Sequence, residues 1–225
     1  MKPRSTRGHA GAHIQIASWP VVVVNPINMP TLSADYWQNR YETRQTGWDV
    51  GHATEPLRRI IDSLPDTAMR ILVPGAGNGY EVEYLWQRGF RNVTVIDLAR
   101  APLERLAARL PEFPAARLIE GDYFDHRGQY DVQLEQTFFC ALDPALRPAY
   151  VRQAHRLLAP GGRIQGVLFD RTFERPGPPF GGSAAAYRIL FAPYFRLLQL
   201  QTSDHSESTR QEVIINFERR EVVVL

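Results

Sequence analysis

The stretch Met69–Glu81, M-R-I-L-V-P-G-A-G-N-G-Y-E, constrains this chain more than any other. Arg70 to Val73 is a short apolar run with β-branched residues, long enough for a buried strand and too short for a helix. Gly75, Gly77 and Gly79 follow, and Tyr80 to Arg88 then mixes apolar and polar residues at helical spacing until Gly89 supplies a C-cap. The pattern is strand, glycine turn, helix. Glycines let a loop backbone touch a ligand, and the helix behind them offers free N–H groups and a positive dipole end to an anionic group. A glycine turn alone is equally consistent with a tight connection.

The downstream spacing favours the ligand-binding reading. Asn92 to Ile96 reads as a second buried strand that ends at Asp97, where α/β nucleotide folds grip ribose hydroxyls. Asp97 also suits an N-cap for the helix beginning near Ala101, and the two roles are compatible. A dinucleotide fingerprint starting from Gly75 requires glycine at position 80, where this chain has Tyr80. Gly75-x-Gly77-x-Gly79 instead resembles the first motif of class I S-adenosylmethionine (SAM) methyltransferases. SAM is therefore the favoured ligand, with NAD as the alternative.

A chain of 225 residues buries one good core. With 26 Lys plus Arg against 24 Asp plus Glu, no basic surface points to nucleic acid beyond the short start holding Lys2, Arg4 and Arg7. Cys140 is the single cysteine, which excludes an internal disulfide and fits a reducing cytoplasm. The six histidines are scattered along the chain, and no metal is expected. Residues 1 to about 30 read as an extension outside the fold, and Met29 offers an alternative start. Their one apolar run, Trp19 to Val24, is interrupted by Pro20 and far too short for a membrane span.

From Leu32 to Trp48, Ser33 suits an N-cap for a helix carrying Tyr36, Trp37, Arg40 and Tyr41, which Thr46-Gly47 ends. These aromatics serve either as a plug at one end of the sheet or as a lid whose ring faces attract a sulfonium. Pro56 to Leu64 is a second amphipathic helix. Helix Ala101–Leu110, strand Leu118-Ile119, strand Tyr130–Glu135, helix Arg147–Ala159 and strand Arg163–Phe169 continue the α/β alternation. Helix Ser183–Phe191 and strands Phe195–Gln201 and Glu212–Phe217 end as an antiparallel edge hairpin. Asp122, after Gly121, suits either a turn or an acidic ligand group at the third strand's end. Gln136 to Cys140 leave the fourth strand at its carboxyl end, where substrates of open α/β sheets bind. The Asn/Asp-Pro-Pro-aromatic motif of many amino-methylating enzymes is missing there. Cys140 fits a small buried hydrophobe better than a nucleophile. The loop Pro176 to Gly182 is either a linker or a cover for a substrate.

Several pieces together resemble the thiopurine S-methyltransferase superfamily, which includes plant and bacterial thiol and halide methyltransferases. They are Tyr36-Trp37 with Tyr41 and Thr46–Asp49, the L-V-P-G-A-G-N-G-Y-E loop, Asp122–Phe124, E-Q-T-F-F-C-A-L at 135–142 and Gly177–Phe180. The resemblance spans about Asp35 to Phe217. It implies an α/β Rossmann-like sheet of seven strands, mostly parallel with an antiparallel edge hairpin, helices on both faces, and one domain over 31–225 with an N-terminal helical lid. It also implies donor contacts at Trp37, Tyr41, Trp48, Gly75, Gly77, Asp97, Asp122, Tyr123, Gln136 and Thr137. The product is then S-adenosylhomocysteine (SAH). Ala76 replaces the family's usual cysteine, and Tyr41 stands where halide-type members often have Trp, which leaves the acceptor open. Trp48, Phe138 and Phe180 are the candidates for a small apolar acceptor pocket. A thiol, thiopurine, thiocyanate or halide needs alignment rather than a base. O- or N-methylation and a non-catalytic SAM-binding module are the other readings. A Tyr-x-x-x-Lys oxidoreductase is excluded because Lys2 is the only lysine.

Overall fold

The computed structural model describes residues 31–207 and 210–221; the proposed extension over 1–30 lies outside them. The chain begins with α1 (Ala34–Glu42), whose cap is Ser33: its Oγ accepts the Tyr36 amide at 3.2 Å. After α2 (Glu55–Asp62) come β1 (Ile71–Pro74), α3 (Tyr80–Gln87), β2 (Val93–Asp97), α4 (Arg100–Arg109), β3 (Leu118–Glu120) and β4 (Tyr130–Gln136). The chain continues with α5 (Arg147–Leu157), β5 (Leu158–Phe169), α6 (Ala184–Phe191), β6 (Phe195–Thr202) and β7 (Glu212–Arg219).

The seven strands form one sheet in the order β3-β2-β1-β4-β5-β7-β6. Strands β1 to β5 run parallel, and β7 is antiparallel to both its neighbours. The expected edge hairpin is therefore present. Strand order reverses between β1 and β4, which places a crevice beyond their carboxyl ends.

Both faces of the sheet are covered, because successive strand residues point to opposite sides. Ile71, Val73, Val132 and Leu134 pack with Leu57, Ile61, Val82, Leu85 and Leu106 of α2, α3 and α4. Leu72, Ile96 and Ile164 pack on the other face with Tyr150, Val151, Leu157 and Phe191 of α5 and α6. The short all-apolar runs seen in the sequence are thus strands buried on both sides.

The largest boundary difference from expectation is where α5 passes into β5, which begins at Leu158 and not Arg163. Helix α5 stops at Leu157, not Ala159, because Leu158 turns extended (ψ 139°) and pairs with Tyr130 across the sheet. The bend at Gly161 (φ 74°) and Gly162 then lies within β5. Gly162 packs so closely on the carbonyls of Ala159 and Tyr130 that a Cβ there would sit 2.9 and 3.0 Å from them. Among the described residues no helix is long and apolar enough to cross a membrane.

Candidate functional site

The glycine turn and the β2 tip lie side by side. The Gly75 amide donates to the Ile96 carbonyl at 2.7 Å, and Gly75, Gly77 and Gly79 all have positive φ (56°, 55° and 76°). Asp97 follows Ile96 and is almost enclosed, 8% exposed. Burial raises its pKa to about 6, and the amides of Ala99, Gly77 and Leu98 oppose that rise. The Ala99 amide donates to Oδ1 at 2.9 Å. Asp97 therefore holds the entry to α4 together, although the N-cap position itself is Ala99.

Above this turn sits α1. Gln38 Oε1 accepts the Ala101 amide at 3.0 Å, and Arg105 Nη2 donates to the Tyr41 carbonyl at 2.7 Å, so α1 is docked on α4. The rings of Trp37 and Tyr41 meet Trp48 edge-on, with centroids 5.6 and 5.7 Å apart. The Trp48 indole nitrogen and the Tyr41 hydroxyl both face Gly77, where a Cβ would touch them at 3.9 and 3.6 Å. Arg210, on the β6–β7 connection, ties this cluster to the far edge of the sheet by donating to the Trp48 carbonyl at 2.7 Å.

At the other wall, Glu135 organises the turn after β4. It is fully buried, with Oε1 accepting the Phe138 and Phe139 amides at 3.0 and 2.9 Å and Oε2 accepting the Tyr150 hydroxyl at 2.6 Å. Gln133 continues the chain, donating to Tyr150 and accepting from Tyr123, both at 2.9 Å. Burial pushes Glu135 up to about 7 despite these donors. Thr137 is forced into the left-handed region (φ 60°), a conformation that persists only where its surroundings over-determine it. The Glu135 carboxylate is that constraint. The loop 176–182 is fastened to the same turn: the Phe180 amide donates to the Cys140 carbonyl at 2.7 Å, and Arg147 Nη2 reaches the Gly181 carbonyl at 2.9 Å.

These pieces enclose a cavity of about 1030 Å³. It brings together Trp37, Tyr41, Trp48, Gly75, Asp97, Asp122, Tyr123 and Thr137 with the acceptor candidates Trp48, Phe138 and Phe180. Two expected residues lie elsewhere. Gly77 and Gln136 line a smaller pocket of about 60 Å³, which shares Trp48, Gly75 and Thr137 with the cavity. Strand alternation explains Gln136: it points to the same face as Leu134, towards Thr54, whose hydroxyl donates to it at 3.4 Å. Tyr123 presents no free hydroxyl, since Gln133 takes it. Residues not expected from sequence also line the cavity, notably Arg40, Phe173 and Arg210. Cys140 lines it too, but its thiol donates to the Thr137 carbonyl and burial drives its pKa far up, away from the nucleophilic form. Among the described residues no group of three or more His, Cys, Asp or Glu side chains is placed to hold a metal.

Asp97 at the β2 tip, Asp122 after β3, Gly75 of the glycine turn and the aromatic side chains all line this one cavity. Fold and site together define a class I SAM-dependent methyltransferase. A 1,6-didemethyltoxoflavin-N1-methyltransferase from Burkholderia thailandensis has the same fold, with a TM-score of 0.70 at 18% identity, over 87% of this chain and 94% of that one.

The family follows from sequence comparison. The model described as Thiopurine S-methyltransferase (TPMT) matches residues 32–225, and the chain belongs to that family of SAM-dependent S-methyltransferases. Among its relatives is a "Probable thiol methyltransferase 2" of Arabidopsis thaliana, 30% identical over 72% of this chain and 73% of that protein. "Thiocyanate methyltransferase 1" of Brassica oleracea is 28% identical over 80% of this chain and 82% of its own length.

Proposed function

We propose that this protein methylates a small soft nucleophile, a thiol, thiopurine, thiocyanate or halide, in the cytoplasm. The observation that carries the reading is that one cavity is lined both by the acids Asp97 and Asp122 and by the aromatic residues Trp48, Phe138 and Phe180. In this reading Asp97 accepts ribose hydroxyls, Asp122 serves the adenine end, and Gly75 with Thr137 flanks the centre. Trp37, Tyr41 and Trp48 form the lid of one domain spanning 31–225. Gly77 acts indirectly, through its amide on Asp97. When bound, SAM supplies an electrophilic methyl on a sulfonium.

The chain's own groups then orient and dehydrate the partners. Ring faces attract a sulfonium by roughly 0.5–2 kcal/mol per good contact. Alignment with exclusion of water supplies roughly 7–11 kcal/mol of barrier reduction. A thiolate or halide needs nothing more. Among the described residues that line the cavity there is no histidine to take a proton, and Asp143 already accepts the Ala145 amide at 2.8 Å.

Labelled SAM incubated with a panel of thiols, thiocyanate, iodide and thiopurines tests the proposal. Transfer to sulfur or halide is expected. Transfer confined to oxygen or nitrogen acceptors, abolished by removing a titrating base, would replace it with the O- or N-methylation reading.

A further inference from the structure

Arg40 lies on α1 and lines the cavity, with its guanidinium carbon 5.5 Å from the Trp48 ring centroid and 5.9 Å from that of Tyr36. Among the described residues it makes no ion pair. One long bond, from Nη1 to Gln45 Oε1 at 3.4 Å, is its hydrogen bonding to a side chain, and its Nε is buried without a partner. The nearby acids do not neutralise it. Asp97, Asp122 and Asp143 each accept a backbone amide, from Ala99, Phe124 and Ala145. Arg210, by contrast, has Glu212 at 3.4 Å. A position in the last turn of α1 suits a cation, but the helix end does not account for a guanidinium turned into a cavity with a desolvated Nε.

We propose that Arg40 is an anion-binding residue of this cavity and takes a carboxylate of a bound ligand. That carboxylate is supplied either by the methionyl end of the donor or by the acceptor. A guanidinium presents parallel N–H donors that match a carboxylate, and the nearby Trp48 and Tyr36 rings attract its charge without satisfying those donors. The inference rests on the donor assignment above.

The test compares wild type, R40Q and R40K by calorimetry with SAH and with 5′-methylthioadenosine, which lacks the amino-acid end. In parallel, KM is measured for thiophenol and for its carboxylated counterpart, 2-mercaptobenzoate. If the donor supplies the carboxylate, R40Q weakens SAH about tenfold or more, as loss of a charge-assisted bond does, and leaves methylthioadenosine within about twofold. If the acceptor supplies it, R40Q raises the 2-mercaptobenzoate KM by a similar factor and spares thiophenol and SAH. In either case R40K recovers part of the loss. R40Q and R40K variants that bind both nucleosides and turn over both thiols like wild type, or that are weakened alike towards all four, overturn the inference. Wild type that binds neither nucleoside overturns the donor assignment itself, and this inference with it.

Discussion

Gly75→Ala is the perturbation that the structure makes most specific. A Cβ at position 75 would stand 2.3 Å from Phe138 Cδ2 and 3.0 Å from its Cγ. The ring has little freedom to retreat, because the Phe138 amide is held by Glu135 at 3.0 Å and the ring packs edge-on against Tyr123, 5.1 Å between centroids. Overpacking of this kind costs roughly 1–3 kcal/mol. The left-handed backbone at φ 56° adds roughly 1–2 kcal/mol for any residue with a Cβ. The expected loss is therefore about 2–5 kcal/mol of folding stability, with a matching loss of SAH affinity if the ring moves towards the donor. Phe138→Ala removes the obstacle. In the double variant the overpacking term disappears and the backbone term remains, so the two substitutions should cost about 1–3 kcal/mol less together than the sum of their separate costs. Denaturant unfolding of all four proteins, with calorimetric SAH affinities, measures the coupling. Costs that simply add, within about 0.5 kcal/mol, would refute the claim that Phe138 covers Gly75.

Asp97, raised to about 6, should bind ribose hydroxyls only as the carboxylate. SAH affinity is then level above pH 7 and falls as pH drops through 6, approaching about tenfold per unit, while Asp97→Asn removes the dependence. Wild-type affinity that stays flat down to pH 5 would contradict that role. Glu135, raised to about 7, binds its proton more tightly folded than unfolded, so its contribution to stability is fully present below its unfolded pKa and is lost as pH rises through 7. The melting temperature of wild type should decline from pH 5 to 8 more steeply than that of Glu135→Gln. Equal slopes in a pH-resolved melt would show that Glu135 does not titrate there.

The framework was legible because β1, the glycine turn and Asp97 are close in sequence and each carries a local physical signature. The antiparallel ending was legible for the same reason, as two alternating runs follow α6. Side-chain direction was not. Gln136 and Thr137 are neighbours in the chain, yet the pleat sends Gln136 towards Thr54 while the strained φ of Thr137 turns the chain into the cavity. Arg40 shares a helix with Trp37 and Tyr41, and periodicity alone does not distinguish a solvent-facing arginine from one turned into a cavity. Arg210 meets Trp48 across 162 positions, beyond the reach of any spacing rule. Glu135 carries a signal in the sequence itself: a carboxylate inside the apolar strand V-Q-L-E needs buried donors, and the structure supplies two amides and the Tyr150 hydroxyl.

The most direct measurement is a calorimetric titration of the purified protein with SAH and, separately, with NAD. The cavity ending at Asp97 and Asp122, with Tyr80 where a dinucleotide loop requires glycine, predicts one SAH bound per chain, no NAD, and competition between SAH and SAM. Saturable NAD binding, or no heat with SAH at any concentration, would contradict it.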